Sequence, residues 1–215
     1  MKTEEKHVFY RATNTYSTLN ALSGQTQNVW MAFHGLGFLS RYFLTHFKTL
    51  MPEENYLIAP QAPSKYYQKK DFRYVGASWL TKENTLKETE NVLRYVDAVY
   101  TKEGPFPSKK LIFFGFSQGV SVCLRWIVSR KIKPDLLILY AGGIPKELEP
   151  SDCAFLSGVP VKMVYGDQDQ FFTLDRLEQE KIRAEELFGK ATLKRLLFPG
   201  KHELKGEVIK QLLSE

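Results

Sequence analysis

The stretch LIFFGFSQGVSVCLRW, residues 111–126, begins as a fully apolar run and becomes a helical pattern after the pentapeptide Gly-Phe-Ser-Gln-Gly at 115–119. When a buried strand turns sharply into a helix, its corner residue lies at the carboxyl edge of a parallel sheet, where the ligand sites of α/β proteins form. Gly-x-Ser-x-Gly at such a corner is a nucleophile elbow, with a strained serine and glycines that let strand and helix come close together. The following helix also directs free N–H groups at the serine, where they can stabilise an oxyanion. The pattern therefore predicts that Ser117 is a nucleophile rather than part of an ordinary tight turn.

Further apolar runs occur on both sides of this stretch. Strands with one face in solvent alternate apolar and polar residues, whereas unbroken apolar runs favour strands that are buried on both faces of a parallel sheet. The predicted strands are 29–34, 56–60, 111–116, 136–141, 161–166 and 192–198, preceded by an antiparallel pair, HVFYRAT (7–13) and TYSTLNAL (15–22).

The segments between these runs have helical spacing. The apolar positions are Leu86, Leu93, Val96 and Tyr100 in segment 84–101, Leu177, Ala184 and Leu187 in segment 174–188 before Gly189, and Val208, Leu212 and Leu213 in segment 205–215. Strands that alternate with helices in this way predict a doubly wound α/β fold, a mostly parallel sheet with helices on both faces. Because no repeat or linker interrupts the pattern and single helices fill the connections, we expect one domain, 1–215, without a large cap domain.

Composition and charge exclude several classes of protein. The 215 residues are 43% hydrophobic and 25% charged, as in ordinary globular domains, and no apolar run approaches the roughly 18 residues of a membrane span. The net charge of +6 comes from scattered lysines and arginines, without a recognisable nucleic-acid-binding module. The amino terminus lacks the apolar core of a secretory signal, and Cys123 and Cys153 are too few for a disulfide framework. We therefore expect a cytoplasmic protein with no nucleic-acid partner and no integral membrane segment.

A serine nucleophile needs a base that is oriented by an acid, and on this fold the chain order is serine, acid, histidine. Of the four histidines, only His202 follows Ser117, and it lies in the loop PGKHELKG after the last predicted strand. The acid should follow the preceding strand, where VKMVYGDQDQ supplies Asp167 and Asp169. Sequence spacing does not choose between these two carboxylates.

The loop His34-Gly35-Leu36-Gly37 follows an early strand and is expected to supply a second oxyanion donor, since its glycines let the backbone approach a substrate. We interpret His34 as a structural hydrogen-bonding residue of this loop rather than a catalyst. The sequence contains neither a His, Cys, Asp and Glu cluster with metal-ligand spacing nor a glycine-rich phosphate loop. We therefore expect neither a metal nor a cofactor.

These motifs resemble those of the carboxylesterase/phospholipase family of α/β-hydrolases, which includes the acyl-protein thioesterases. The resemblance covers nearly the whole chain and rests on HGLG (34–37), ASW (77–79), GFSQG (115–119), AGGIP (141–145), GDQD (166–169) and His202. In that family the acid is the last residue of Gly-x-x-Asp, which implies Asp169. The residues after His-Gly and after the nucleophile supply the oxyanion N–H groups, which implies Leu36 and Gln118.

Two departures from the family pattern place aromatic residues near the expected acyl pocket. Phe38 stands where the family often has aspartate after HGLG, and Gln170-Phe171-Phe172 follow the acid where the family commonly continues Asp-x-x-Val-Pro. The expected substrate-binding residues are Phe38, Trp79, Phe116, Ile144, Phe171 and Phe172.

The resemblance implies a serine hydrolase that cleaves carboxylic esters or thioesters through an acyl-enzyme and needs no cofactor. It implies a small-molecule or lipid ester as substrate and is compatible with a homodimer. Within this class we expect a carboxylesterase for short- to medium-chain acyl groups, with a lysophospholipase or an acyl-protein thioesterase as the alternative. The alternative from another class is a non-catalytic ligand receptor on a hydrolase fold.

Overall fold

The computed structural model describes residues 2–214. In this part of the chain the strands are β1 (Tyr16–Leu19), β2 (Asn28–Phe33), β3 (Asn55–Pro60), β4 (Ser64–Tyr67), β5 (Val75–Ser78), β6 (Lys110–Phe116), β7 (Leu136–Tyr140), β8 (Val161–Gly166) and β9 (Leu193–Phe198). The α-helices are α1 (Ser40–Phe43), α2 (Thr85–Glu103), α3 (Gln118–Arg130), α4 (Pro150–Cys153), α5 (Leu174–Phe188) and α6 (Gly206–Ser214). Short 3₁₀ turns cover Leu44–Phe47, Ala154–Leu156 and Lys190–Thr192.

Seven strands form the main sheet in the order β1-β3-β2-β6-β7-β8-β9. β1 runs antiparallel to β3, and the other neighbouring pairs are parallel. The register pairs Phe33 with Gly115 and Phe116 with Tyr140, so β2, β6 and β7 end at the same edge of the sheet. The predicted α/β fold with a mostly parallel central sheet is therefore confirmed.

Aromatic side chains fix α3 against the centre of this sheet. Phe113 and Trp126 are fully buried (0% exposed), and their rings lie 5.3 Å apart between β6 and α3. Trp126 also contacts Tyr100 of α2 in an edge-on arrangement at 5.2 Å. Large aromatic rings bury extensive apolar surface and restrict relative movement of the elements that carry them. This packing fixes α3 against β6, the two elements that meet at Ser117.

The predicted antiparallel pair at the amino terminus is wrong. Residues 7–13 form no strand, and Val8, Phe9 and Tyr10 are 83%, 89% and 82% exposed. β1 pairs with β3 instead, with Tyr16 opposite Pro60. The segment HVFYRAT has β-forming residues, but no neighbouring strand buries its apolar side chains.

The helix predictions correspond to α2, α3, α5 and α6, but the buried face of α2 begins later than expected. Leu86, in the first turn of α2, is 91% exposed. The buried positions of the helix are Val92, Leu93, Val96 and Val99. α5 ends before Gly189, whose φ of 85° is a left-handed value that favours glycine.

A hairpin that the sequence analysis did not predict lies between β3 and α2. β4 and β5 pair antiparallel, with Ser64 opposite Ser78. The hairpin packs on the loop at 34–37, since the Gly37 N–H donates to the Ala77 carbonyl at 2.9 Å and Gln68 Nε2 donates to the Gly37 carbonyl at 2.5 Å. It therefore borders the carboxyl edge of the sheet at the place where Ser117 emerges.

Candidate active site

Ser117 occupies the corner between β6 and α3, as the Gly-x-Ser-x-Gly pattern predicts. Its φ of 52° and ψ of −118° lie outside the regions that residues with a Cβ normally adopt. A Cβ on Gly115 would lie 2.5 Å from Val120 Cα, and one on Gly119 would lie 2.0 Å from the Phe33 carbonyl oxygen. Only glycine fits at these two positions, and the resulting close packing of strand and helix holds the serine in its strained conformation.

His202 lies in the loop between β9 and α6 and contacts Ser117. Its Nε2 is 2.9 Å from Ser117 Oγ, and its Nδ1 is 2.7 Å from Asp169 Oδ2. An ionised carboxylate only accepts hydrogen bonds, so Nδ1 carries the proton that it donates to Asp169. Nε2 is then free to accept the hydroxyl proton of Ser117, which is the arrangement that activates a serine for attack.

Of the two carboxylates after β8, Asp169 faces His202 and Asp167 does not. The Asp169 side chain has no exposed surface (0%), and its second oxygen accepts the backbone N–H of Phe171 at 2.9 Å. Asp167 accepts the backbone N–H of Gly200 at 3.0 Å and so fixes the loop that carries His202. The structure thus separates the two residues that spacing alone left equivalent.

The two expected oxyanion-hole residues border the same groove as Ser117. Gln118 is the first residue of α3, so its backbone N–H has no acceptor within the helix. A Cβ on Gly35 would lie 3.1 Å from Ser117 Cβ, which places the loop before Leu36 directly against the serine. The structure therefore brings Leu36, Ser117 and Gln118 together along one groove.

The side chain of Gln118 fixes the segment that follows the hairpin. Its Oε1 accepts the backbone N–H of Trp79 at 2.9 Å, and its Nε2 donates to the Leu80 carbonyl at 2.7 Å. Trp79 is 1% exposed, and its indole N–H donates to the His34 carbonyl at 2.8 Å. Trp79 consequently supports the loop at 34–37 from inside the core.

His34 is fully buried beneath this loop (0% exposed). Its Nδ1 lies 2.8 Å from the Gly35 carbonyl, and its Nε2 accepts the backbone N–H of Ala62 at 3.1 Å. Burial lowers the pKa of His34 from 6.5 to about 4. A neutral ring that donates through Nδ1 and accepts through Nε2 satisfies both bonds, which fits the structural role that we inferred for this residue.

Burial of His34 predicts that the protein loses stability as the pH falls from about 6.5 towards 4. In this window the unfolded histidine binds a proton and the folded one does not, so the free energy of unfolding decreases by an amount that approaches about 3 kcal/mol below pH 4. Urea unfolding of the unmodified protein and of His34→Gln at a series of pH values measures the effect. The difference between the two free energies should shrink or change sign as the pH falls, and a constant difference would contradict the prediction.

An open groove of about 760 Å³ extends from Ser117 and His202 along the carboxyl edge of the sheet. Three of the expected substrate-binding residues line it: Ile144, Phe171 and Phe172. Phe171 is 53% exposed, with its ring edge-on to the His202 ring at 4.8 Å, whereas Phe172 is buried and stacks parallel to that ring at 6.5 Å.

Phe38, Trp79 and Phe116 are not among the residues that line this groove. Phe116 is 2% exposed, with its ring 5.2 Å from the His202 ring, and Phe38 packs edge-on against Phe116 at 5.8 Å. Trp79 and Phe116 are thus packed beneath the loops, where they support His202 and the loop at 34–37 from below. Phe38, in contrast, is only half-buried and packs on the core through Phe116.

The polar side chains of the groove are not predicted by any sequence pattern. Arg125 pairs with Glu147 at 2.7 Å, and Arg176 and Glu180 of α5 also line the groove. No motif marks these residues. The only signal in the sequence is the spacing of Arg176 and Glu180, which places them on the same face of a helix.

Neither cysteine contributes to the site. Cys123 and Cys153 are buried free thiols, and burial raises the pKa of Cys153 to about 11. Within residues 2–214, no group of three or more His, Cys, Asp and Glu side chains is placed to hold a metal ion. The helices of the same residues also lack the combination of length and hydropathy that a membrane span requires.

Solved structures share this fold at low sequence identity. Acyl-protein thioesterase 2 from Zea mays superposes with a TM-score of 0.68 at 16% identity, over 94% of this chain and 99% of the other. Esterase PE8 superposes with a TM-score of 0.69 at 21% identity, over 94% of this chain and 99% of the other. A phospholipase/carboxylesterase from Dyadobacter fermentans superposes with a TM-score of 0.64 at 18% identity, over 96% of this chain and 97% of the other.

No curated protein matches the sequence. The model of the phospholipase/carboxylesterase family, by contrast, matches residues 14–213. That range includes the elbow, the loop at 34–37 and the loop that carries His202. Because the match extends over nearly the whole chain, the protein belongs to the phospholipase/carboxylesterase family and is a hydrolase of the esterase type.

Proposed function

We propose that this protein is a serine hydrolase that cleaves carboxylic esters or thioesters through an acyl-enzyme intermediate. The observation that carries the proposal is the continuous hydrogen-bonded chain from Ser117 Oγ through the His202 ring to the buried Asp169 carboxylate, with separations of 2.9 and 2.7 Å. This arrangement positions a base on the nucleophile and an acid on the base.

In the first half of the reaction, Ser117 Oγ attacks the acyl carbonyl carbon while His202 Nε2 takes the hydroxyl proton. Asp169 stabilises the charged imidazole that results. The backbone N–H groups of Leu36 and Gln118 hold the tetrahedral oxyanion, and loss of one such donor typically costs about 100-fold or more in rate. Collapse of the intermediate breaks the bond to the alcohol or thiol, which leaves with the proton from His202.

In the second half, a water molecule attacks the acyl-serine carbonyl. His202 takes one proton of this water, the second tetrahedral intermediate collapses, and Ser117 Oγ regains the proton from His202 as the carboxylic acid leaves. No redox step occurs, and each proton that His202 accepts is returned in the same half of the reaction.

We further propose that the acyl groups are short to medium in length. Ile144, Phe171 and Phe172 give the groove an apolar wall beside His202, and the half-exposed ring of Phe171 lies edge-on to the His202 ring at 4.8 Å. Apolar walls favour binding by about 0.8 kcal/mol for each methylene that they bury, but a bulky ring also limits the length that can be accommodated. The second candidate is a lysophospholipase or an acyl-protein thioesterase. The maize structure is named for the second of these activities.

The acyl chain-length profile tests this proposal. We expect kcat/KM for p-nitrophenyl esters to rise from acetyl to about butyryl or hexanoyl, by up to about fourfold for each methylene, and then to fall. Phe171→Ala should move the optimum to longer chains because it removes the half-exposed ring beside His202, and Phe172→Ala should move it in the same direction. Phe72→Ala is a suitable control, since Phe72 is an exposed ring (67%) of the hairpin segment, outside the residues that line the groove.

A steady rise in kcat/KM through palmitoyl esters in the unmodified protein would contradict the short-chain proposal. Turnover of a palmitoyl thioester or of a lysophospholipid above that of butyryl esters would favour the second candidate. A ligand receptor without turnover is the alternative from another class, and labelling with a fluorophosphonate probe separates the two. The hydrolase should form the covalent adduct at Ser117, whereas a receptor without an activated serine should not.

A further inference from the structure

Arg176, near the start of α5, contacts the turn that carries the buried acid. Its Nη1 donates to the Phe171 carbonyl at 2.8 Å, and its guanidinium lies over the Phe172 ring at 4.3 Å from the ring centre. A planar guanidinium can make both contacts together, because it stacks on an aromatic face while its N–H groups point outward in the plane. We call residues 169–172 the acid turn.

The acid turn determines the surroundings of His202. Asp169 accepts the Phe171 N–H, and the Asp169 carbonyl accepts the Phe172 N–H at 3.1 Å. The rings of Phe171 and Phe172 both contact the His202 ring. Any movement of this turn would therefore displace the Asp169 carboxylate and two of the rings around His202 together.

Glu180, one turn further along α5, contacts the opposite wall of the groove. Its Oε2 accepts the backbone N–H of Ile144 at 2.9 Å, and its side chain is only 14% exposed. A Cβ on Gly143 would lie 2.9 Å from Glu180 Oε1 and 3.2 Å from Arg176 Nη2, so the wall passes close to both side chains. The two residues form an ion pair, with Arg176 Nε 3.8 Å from Glu180 Oε1.

We propose that Arg176 and Glu180 are a positioning pair that sets the acid turn and the Ile144 wall at a fixed separation. The inference rests on the proposed hydrolase function and adds to it two residues that do not touch the reacting atoms. Arg176 acts through the acid turn on the orientation of His202, and Glu180 acts through Ile144 on the width of the groove.

The ion pair between Lys181 and Glu178 on the same helix serves as a comparison for the Arg176–Glu180 pair. Lys181 Nζ lies 2.9 Å from Glu178 Oε1, and both residues belong to α5. Lys181 makes its ion pairs within α5, and pairs at partly exposed positions contribute little to stability. Arg176 and Glu180 differ because their hydrogen bonds reach the acid turn and the Ile144 wall. Lys181→Ala is therefore a matched control.

The test separates the two roles kinetically. Arg176→Ala should lower kcat for p-nitrophenyl butyrate by about 10- to 100-fold, because a displacement of about 1 Å at a catalytic group has effects of this size, and should change KM by less than about threefold. Glu180→Ala should mainly raise KM, whereas Glu180→Gln should keep most of the wild-type KM because its amide oxygen can still accept the Ile144 N–H. Lys181→Ala should match the unmodified protein in both constants.

Chemical rescue and NMR distinguish positioning from general destabilisation. Added methylguanidinium should restore part of the kcat of Arg176→Ala but not change that of Lys181→Ala. Arg176→Lys, which keeps the charge but cannot stack as a plane, should give an intermediate kcat and serves as the second variant if Arg176→Ala does not fold. The low-field proton resonance of the His202–Asp169 hydrogen bond should weaken in Arg176→Ala and persist in Lys181→Ala.

The outcomes also separate this inference from the proposed function. If Arg176→Ala, or Arg176→Lys in its place, keeps both the resonance and the unmodified kcat, the positioning role is wrong. If the unmodified protein turns over no ester or thioester and takes up no fluorophosphonate, the proposed function is wrong. In that case the resonance alone decides the inference, and its loss in the Arg176 variants would still support the positioning pair.

Discussion

Ser117→Ala is expected to lose roughly 10⁴- to 10⁶-fold in kcat while its free energy of unfolding stays close to that of the unmodified protein. The hydroxyl bonds to His202 and sits at a corner that contributes little apolar packing, so its removal takes away the nucleophile and leaves the core unchanged. His202→Ala should be similarly inactive, since the members of such a catalytic group act as a unit and their losses do not add.

Steady-state hydrolysis of p-nitrophenyl butyrate, fluorophosphonate labelling and urea unfolding together measure this result. Ser129→Ala is the matched control, because Ser129 is an exposed serine of α3 far along the same helix from the corner. The control should keep full turnover and labelling. If Ser117→Ala retained more than a few per cent of turnover, the nucleophile would have to be sought elsewhere.

Asp169→Asn is expected to reduce kcat by roughly 10³- to 10⁴-fold. The carboxylate accepts the His202 Nδ1 proton at 2.7 Å, and an amide in its place can present N–H groups that favour the wrong tautomer of the imidazole. Asp167→Asn should change kcat by only a few fold, because its amide oxygen can still accept the Gly200 N–H.

Comparing kcat, KM and the urea midpoint of the two variants checks this assignment. Asp167→Asn is a close control, since it makes the same chemical change two residues away on the same loop. Equal losses in kcat, or a larger loss for Asp167→Asn, would move the acid role to Asp167.

The sequence predicts the central sheet well, because its signal is strong and local. The six predicted strand segments correspond to β2, β3, β6, β7, β8 and β9, and the strand-to-helix corner at Ser117 follows from two glycines that no other residue can replace there. His202 follows by elimination among four histidines. The choice of Asp169 required the family pattern, since Asp167 has the same chemistry at almost the same place.

The remaining features depend on partners that lie far away in the sequence. The segment HVFYRAT has the composition of a strand, but β3 already pairs with β1 and β2. The β4–β5 hairpin has an exposed first strand without an apolar pattern, and its contacts with Gly37 are made to backbone groups. Trp79 is an aromatic residue of the kind that lines pockets, but its burial and its bond to the His34 carbonyl show that it faces the core.

The backbone of Ser117 has a consequence for any attempt to improve the heat tolerance of this protein. At φ 52° and ψ −118°, a residue without a Cβ would be relieved of a strain of about 1–3 kcal/mol. Selection for survival at high temperature alone will therefore enrich Ser117→Gly, the change that also removes the nucleophile. Directed evolution of this chain consequently has to measure ester turnover in the same round as thermal survival. At this residue, selection for turnover retains serine, whereas selection for thermal survival favours glycine.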